Sequence, residues 1–188
     1  MIRRDPSPRR RPARRQAADR ILAVCCGNTE KQYLDGLKRV ARVVTLKTVV
    51  KVGSPEQLVG YATKLRDNGS DSYDQIWCVV DVDDFDIAKA LLAAAKARVS
   101  LAVSNPCFEL WLILHFADHS AHLAGYKQAR AVLEKHVPGY NKELDYSTFH
   151  PRIDAAIARA KALGLVDPSA TVNPSTTVWR LVEAALNR

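Results

Sequence analysis

The chain has 188 residues, of which 47% are apolar, and its 28 lysines and arginines outnumber its 20 aspartates and glutamates for a formal net charge of +8. A chain of this length buries about 70% of the surface that it exposes when unfolded, so we expect one well-packed domain. No apolar run approaches the roughly 20 residues of a membrane-spanning helix, and no hydrophobic signal-peptide segment follows the first arginines; membrane insertion and secretion are therefore not expected, and a cytoplasmic location is expected.

Most of the positive charge lies in the first segment, residues 1–20, which we call the arginine arm. It holds eight arginines, two aspartates and three prolines, for a net charge of +6, and it lacks apolar periodicity. This composition predicts a disordered arm. Two interpretations stay open. In the first, the arm binds nucleic acid and its arginines contact phosphates. In the second, the arm is only a solvated tail, or the start codon has been assigned too far upstream. In the first interpretation the contacts come from Arg9, Arg10, Arg11, Arg14 and Arg15.

After the arm, residues 21–188 read as a single domain in which apolar runs of strand length alternate with amphipathic segments of helix length. Such alternation predicts an α/β fold with a mainly parallel, four-stranded, Rossmann-like sheet flanked by helices. The helical pattern then continues without strands, so the C-terminal half is expected to be helical. The predicted strands are 21–26, 43–52, 75–80 and 99–103, and the predicted helices are 29–40, 55–68, 87–98, 106–117, 126–136, 148–164 and 175–187.

Four aspartates follow the third predicted strand within six residues: Asp81, Asp83, Asp84 and Asp86. Open parallel sheets bind their ligands at the carboxyl ends of the strands. Carboxylates this close together repel one another unless a cation neutralises them. Oxygen ligands of this type favour Mg²⁺ or Mn²⁺ over zinc. The alternative is an acidic loop in which Asp84 or Asp86 caps the next helix.

Three segments carry a resemblance to a known family: 79–85 (VVDVDDF), 104–116 (SNPCFELWLILHF) and 173–182 (NPSTTVWRLV). Together with the turn after the first strand, they resemble the RloB-like family, which is regarded as Toprim-like. The resemblance implies a Toprim-type fold and a Mg²⁺-dependent nuclease that acts on DNA or RNA, with tRNA among the candidates. It also implies a role in bacterial defence against phage by abortive infection, with an ABC-type ATPase encoded nearby as a partner and with homo-oligomers allowed.

The site residues follow from strand-end position and from this resemblance. Asp81 and Asp83 point to one side of a strand and are expected to hold the metal, with Asp84 as a supplementary ligand. Glu30, which matches the acidic position of the family's turn, is expected as a further ligand or as the base that orients water. Toprim-like relatives place a glutamate where this chain has Cys26. The alternative function is therefore a weakened module that binds nucleic acid or an ATPase without cleavage.

Two further features concern residues behind these ligands. Asn105-Pro106 and Asn173-Pro174 fit helix starts with an asparagine N-cap and proline in the first turn. Glu109 lies in an otherwise apolar segment, where a charge needs a partner. We expect it to pair with an arginine such as Arg180, or to support the metal site together with Asn105.

The remaining reactive side chains point to no other chemistry. Four cysteines without C-x-x-C spacing are expected as buried free thiols of a reducing compartment. His115, His119 and His122 have helical spacing but no accompanying acidic ligand, so exposed or partly buried histidines are expected rather than a zinc site. The sequence has no Walker A loop, no G-x-S-x-G and no G-x-G-x-x-G motif.

Overall fold

The computed structural model describes residues 19–40, 45–82, 85, 87–164 and 172–187. Five strands lie in one sheet: β1 (Arg20–Cys25), β2 (Thr45–Val50), β3 (Gln75–Asp81), β4 (Ser100–Asn105) and β5 (Ser175–Thr176). The α-helices are α1 (Asn28–Val40), α2 (Pro55–Asn68), α3 (Ile87–Ala97), α4 (Glu109–Leu114), α5 (Tyr126–Leu133), α6 (Tyr146–Phe149), α7 (Ile153–Ala162) and α8 (Val178–Leu186), and a 3₁₀ turn spans His150–Arg152.

The sheet has the strand order β2-β1-β3-β4-β5. The first four strands are parallel, as predicted, and each predicted boundary lies within two residues of the observed one. The chain leaves β1 toward one edge of the sheet and returns to place β3 on its other side. The crevice between the carboxyl ends of β1 and β3 is therefore the topological switch point, where ligands bind in open α/β sheets. This architecture fits the expected Toprim/Rossmann-like α/β fold.

The fifth strand corrects the prediction of one helix over 175–187. Ser175–Thr176 pairs antiparallel with the end of β4, and α8 begins only at Val178. Thr177 extends the pairing with β4, since its N–H donates to the Val103 carbonyl at 2.8 Å and its Oγ1 accepts from the Val103 N–H at 2.9 Å. A two-residue polar strand carries no hydrophobic alternation, which is why periodicity did not indicate it.

Each face of the sheet packs on its own core, which explains the continuous apolar runs of the central strands. In β1, Ile21, Ala23 and Cys25 face one cluster with α1, α4, α7 and α8. Leu22 and Val24 face the other cluster with α2 and α3. The four cysteines are free thiols, as expected, and all but Cys26 are buried.

The start of α2 brings a second polar loop to the switch point. The Ser54 hydroxyl accepts from the Gln57 N–H at 3.4 Å, and the Gln57 side chain accepts from the Ser54 N–H at 2.9 Å, which completes a capping box with proline at the first helical position. Gly53 has φ of +151°, and the Gln57 side chain fills the space where a Cβ would lie. The loop between β2 and α2 is thereby fixed beside the ends of β1 and β3.

The Asn-Pro dipeptides do not start helices, so that prediction is wrong. Asn105 is the last residue of β4, and α4 begins three residues after Pro106. The Asn105 amide donates to the Val172 carbonyl at 3.2 Å. The Asn173 amide donates to and accepts from the backbone of Leu123 at 2.8 and 2.9 Å. The side chains of both asparagines therefore bond to the backbone of segments distant in the chain and do not cap helices.

The histidine prediction also needs correction. Helix α4 ends at Leu114, so His115, His119 and His122 do not share a helix face. His115 is 1% exposed, where an exposed or partly buried side chain was expected. Its Nδ1 is 2.9 Å from the Trp111 carbonyl and its Nε2 is 3.1 Å from the Tyr33 hydroxyl, so both ring nitrogens are paired within the core. Among the described helices, none is long and apolar enough to cross a bilayer.

Candidate metal site

Three side chains meet at the switch point of the sheet. Cys26 follows β1, Glu30 lies in the first turn of α1, and Asp81 is the last residue of β3. One ligand atom from each, the sulfur and one oxygen of each carboxylate, lies within 4.8 Å of the other two. Glu30 and Asp81 are thus brought together as the sequence predicted, and Cys26 joins them.

Backbone hydrogen bonds beyond the strand ends hold this cluster in register. The Cys26 N–H donates to the Val79 carbonyl at 3.2 Å, and the Val82 N–H donates to the Ser104 carbonyl at 2.9 Å. On the other side of β1, the Lys51 N–H donates to the Cys25 carbonyl at 2.9 Å. The ladder therefore continues on both sides of the site, and the ligand-bearing residues sit on ordered backbone.

Gly27 leaves room for the Glu30 carboxylate. A Cβ at position 27 would lie 2.9 Å from Oε2 of Glu30, which is closer than Cβ contacts in proteins normally come. Any larger residue here would push the carboxylate away. With glycine at position 27, the Glu30 carboxylate keeps its place beside the end of β1.

Glu30 is the most deeply buried member of the cluster, with only 4% of its surface exposed. Its Oε1 accepts a hydrogen bond from the Cys26 thiol at 3.3 Å, whereas its Oε2 is buried and has no hydrogen-bond partner among the residues that the structure describes. Burial raises the pKa of Glu30, and the nearby Glu109 carboxylate raises it further. An oxygen in this state is stabilised by a proton or by a cation, because desolvation without a partner is costly.

The Cys26 thiol is held in its protonated form in this environment. Burial raises the pKa of Cys26 above its ordinary value, and the Asp81 and Glu30 carboxylates raise it further. Unlike the other three cysteines, Cys26 is only partly buried and lines a cavity. The thiol is thus a hydrogen-bond donor at rest and borders open space on one side.

That cavity has a volume of about 240 Å³ and is lined by the three cluster residues together with residues from the β2–α2 loop. Lys142, from the loop between α5 and α6, is the one basic residue among the described residues that line it. Its Nζ lies 4.2 Å from the centre of the Tyr126 ring, and its positive charge acts against the rise in the Glu30 pKa. The cavity therefore combines two carboxylates, a thiol and one ammonium group.

Glu109 lies behind the site, where sequence reasoning expected an arginine partner. It is 4% exposed and accepts a hydrogen bond from the Tyr140 hydroxyl at 2.9 Å, a neutral partner that the sequence did not indicate. Burial and the Glu109 charge raise the pKa of Tyr140, which keeps this hydroxyl protonated and donating. The charge of Glu109 in turn raises the pKa of Glu30.

Other predicted site residues stand apart from this cluster or outside the described residues. Asn105 lines a neighbouring cavity of about 460 Å³, and among the described lining residues the two cavities share only Phe85, which is 47% exposed. The predicted ligands and phosphate contacts that lie outside the described residues are Asp83, Asp84, Arg9, Arg10, Arg11, Arg14 and Arg15, and the possible helix cap Asp86 lies outside them as well. Sequence reasoning missed Lys142 and Tyr140, since both come from a loop more than 100 residues from Glu30 that carries no motif.

The donor set fits a divalent metal ion, but not equally well at every position. Two converging carboxylates and the orphaned Oε2 of Glu30 fit the hard oxygen coordination of Mg²⁺ or Mn²⁺. The sulfur of Cys26 does not, since thiolates select softer ions. The two carboxylates therefore suit a hard divalent cation, whereas the Cys26 sulfur suits a softer one.

Comparison with known proteins gives a match to the family described as RloB-like protein, over residues 21–184. This range begins at β1, includes all three cluster residues and ends within α8. No curated protein and no solved structure matches the chain.

Proposed function

The chain belongs to the RloB-like protein family, and on that premise we propose that it is a metal-dependent nuclease that hydrolyses phosphodiester bonds of DNA or RNA. The observation that carries the proposal is the convergence of Glu30 and Asp81, with Cys26, at the switch point of the sheet. A small polar cavity that gathers carboxylates and a lysine side chain is typical of sites that act on phosphates through a divalent metal ion.

The carboxylates of Asp81 and Glu30 would hold the ion, Mg²⁺ or Mn²⁺ in the first instance. Asp83 and Asp84, which lie outside the described residues, are proposed as a further and a supplementary ligand. When bound, such an ion stabilises the charge that develops at phosphorus and lowers the pKa of the attacking water. Glu30 would also orient that water, since it lines the cavity beside Asp81. Its raised pKa suits a group that takes up a proton.

Lys142 supplies the charge that a phosphate needs. Carboxylates alone repel a nucleic-acid backbone, and Lys142 is the basic residue that shares their cavity among the described residues. The Tyr126 ring under its Nζ limits where the ammonium group can go. We assign Lys142 to a non-bridging phosphate oxygen of the substrate, with the arginine arm adding affinity along the backbone.

A second function is favoured by one observation. Cys26 stands where Toprim-like relatives are expected to have a glutamate, so the described part of the site holds two carboxylates rather than three. With fewer oxygen ligands, the chain would bind nucleic acid or an ATPase partner without cutting. This alternative predicts tight binding and no product under every metal condition.

A cleavage assay separates the two functions. Purified full-length chain is incubated with tRNA, single-stranded RNA and plasmid DNA in Mg²⁺, in Mn²⁺ or in EDTA. The nuclease proposal expects products that require the metal and that are lost in Asp81→Asn. Asp67→Asn is the matched control, since Asp67 is an exposed aspartate at the end of α2. Products that persist in EDTA or in Asp81→Asn would overturn the proposal.

We also propose that the chain acts in bacterial defence against phage, with an ABC-type ATPase as partner, as the family resemblance implies. The sequence has no Walker A motif, so a partner would have to supply any nucleotide hydrolysis. Plaque counts on cells that express the chain, alone or with its neighbouring genes, test this role. If the wild type and Asp81→Asn protect the cells equally, the defence role does not depend on the metal site.

A further inference from the structure

The candidate metal site offers a sulfur atom beside its carboxylate oxygens. The Cys26 sulfur lies within 4.8 Å of ligand atoms from both Glu30 and Asp81 and lines the same cavity. The three other cysteines do not line it and are buried in β1, in β3 and near the start of α4. Cys26 is therefore the thiol that an ion held by the two carboxylates would meet.

The neighbours of Cys26 hold its sulfur in place. Its own N–H is bonded to the Val79 carbonyl at 3.2 Å, and its thiol is bonded to Oε1 of Glu30 at 3.3 Å. The second oxygen of Glu30 is buried and without a hydrogen-bond partner among the described residues, although Glu30 is more than nine-tenths buried. A cation that approaches this oxygen comes within reach of the sulfur as well.

We propose that Cys26 is a ligand of the bound ion and that its sulfur makes the site prefer thiophilic divalent ions, such as Zn²⁺ and Co²⁺, over Mg²⁺. The inference deepens the proposed function, on whose metal site it rests. The thiol proton passes to solvent when the sulfur binds the ion, so the donor set becomes one thiolate and carboxylate oxygens. Such a mixed set suits borderline ions, whereas Mg²⁺ favours oxygen alone.

A Co²⁺ titration tests this assignment without using activity. Metal-free full-length chain is kept reduced with a phosphine, because thiol reductants would themselves bind the probe. Binding through Cys26 gives a sulfur-to-cobalt charge-transfer absorption band in the ultraviolet, and the band saturates with the binding isotherm. In Cys26→Ser the band disappears and the affinity for Co²⁺ falls by about 10–100-fold, of the order seen when groups supporting a metal are removed. The affinity of this variant for Mg²⁺ stays unchanged within error.

Two further variants sharpen the test. Cys78→Ala removes a buried thiol from the same sheet, and Cys107→Ala removes the thiol whose neighbours are Glu109 and Asp81; both should keep the band. Cys26→Asp replaces sulfur with oxygen, so it should lose the band and bind Mg²⁺ more tightly than the wild type. It also serves as the second substitution should Cys26→Ser fail to fold, which circular dichroism reports.

The outcomes distinguish this inference from the proposed function. A wild type that binds Mg²⁺ or Co²⁺ through Asp81 but shows no charge-transfer band overturns the role of Cys26 and leaves the nuclease proposal standing. A band that persists in Cys26→Ser and disappears in Cys107→Ala overturns it as well. A wild type that binds neither ion overturns both.

Discussion

The sulfur of Cys26 lies 3.3 Å from Oε1 of Glu30 and donates its hydrogen to that oxygen. This contact joins the end of the central strand β1 to the first turn of α1, across Gly27. One oxygen of Glu30 is thereby committed within the protein, and the other is buried without a hydrogen-bond partner among the described residues. A proton or a cation at that second oxygen would offset the cost of burying it without a partner.

Replacing Glu30 with glutamine should stabilise the metal-free protein and weaken metal binding. Because burial raises the pKa of Glu30, the folded state holds its proton more tightly than the unfolded state does. Stability is thus fullest below the ordinary glutamate pKa and falls as pH rises toward the folded pKa. At pH 7 without metal, the free energy of unfolding of Glu30→Gln should exceed that of the wild type by about 1–3 kcal/mol.

Urea unfolding at pH 4 and pH 7, with and without Mn²⁺, measures this effect. The gap between Glu30→Gln and the wild type should close at pH 4, and added Mn²⁺ should stabilise only the wild type. Glu56→Gln is the matched control, because Glu56 is the first-turn glutamate of α2 and lies outside the cluster. Equal stabilisation of Glu30→Gln and wild type by Mn²⁺ would show that Glu30 is not a ligand.

Substituting Gly27 with alanine should damage the site while leaving the fold intact. The added Cβ would come within 2.9 Å of Oε2 of Glu30, so the carboxylate must move. We expect weaker Mn²⁺ binding by calorimetry and an unchanged circular dichroism spectrum. Gly60→Ala, in the interior of α2 with open space around its Cβ, should instead stabilise the protein by about 0.5–1 kcal/mol and bind Mn²⁺ normally. Equal ion binding by both variants contradicts the close approach at Gly27.

His115 should make the protein lose stability below neutral pH. Burial lowers the pKa of His115 to about 4, from 6.5 in the unfolded chain. As pH falls below 6.5, the unfolded state takes up a proton that the folded state refuses, so stability is lost until the folded pKa is reached. Between pH 7.5 and pH 5 this amounts to about 2 kcal/mol, at 1.36 kcal/mol for each pH unit below the unfolded pKa.

Urea titrations of His115→Gln across this interval should show that loss removed, whatever the overall stability of the variant. The exposed His122 gives the control, since His122→Gln should keep the wild-type pH dependence. If all three proteins lose the same stability between pH 7.5 and pH 5, the buried ring of His115 is not the source.

Lys142→Ala should weaken nucleic-acid binding more than an ordinary surface lysine does. Its ammonium group is the positive charge that faces the carboxylates in the cavity of the described structure. Loss of one phosphate contact lowers the slope of log affinity against log salt by about one. Fluorescence anisotropy with labelled RNA and DNA, at several salt concentrations, measures that slope. Lys127→Ala, at an exposed position of α5, should leave it unchanged; the same slope for both would remove Lys142 from the phosphate site.

The four parallel strands and the first three helices were predictable because their patterns are strong and local. Continuous apolar runs such as 21–26 mark strands buried on both faces, and Ser54-Pro55 marks a helix start. The strand ends then placed Asp81 and the Glu30 turn at one edge. No local pattern indicated β5, since two polar residues pair with β4 only after the chain has returned to it.

What sequence could not provide were contacts set by distant segments. Asn105-Pro106 has the composition of a helix start, but Asn105 completes β4 and holds Val172 instead. Glu109 was expected to need a cation, yet a neutral Tyr140 hydroxyl from a later loop serves it. Lys142 reaches the cavity from that same loop, and no spacing rule links it to Glu30. Such contacts depend on how loops cross the sheet edge, which periodicity does not encode.

Calorimetric titration of Mn²⁺ into the metal-free full-length chain shows whether Glu30 and Asp81 form a divalent-metal site. If they do, the wild type binds the ion saturably, and the affinity falls by about 10–100-fold or more in Asp81→Asn and stays unchanged in Asp67→Asn. Identical isotherms for the wild type and Asp81→Asn would contradict such a site.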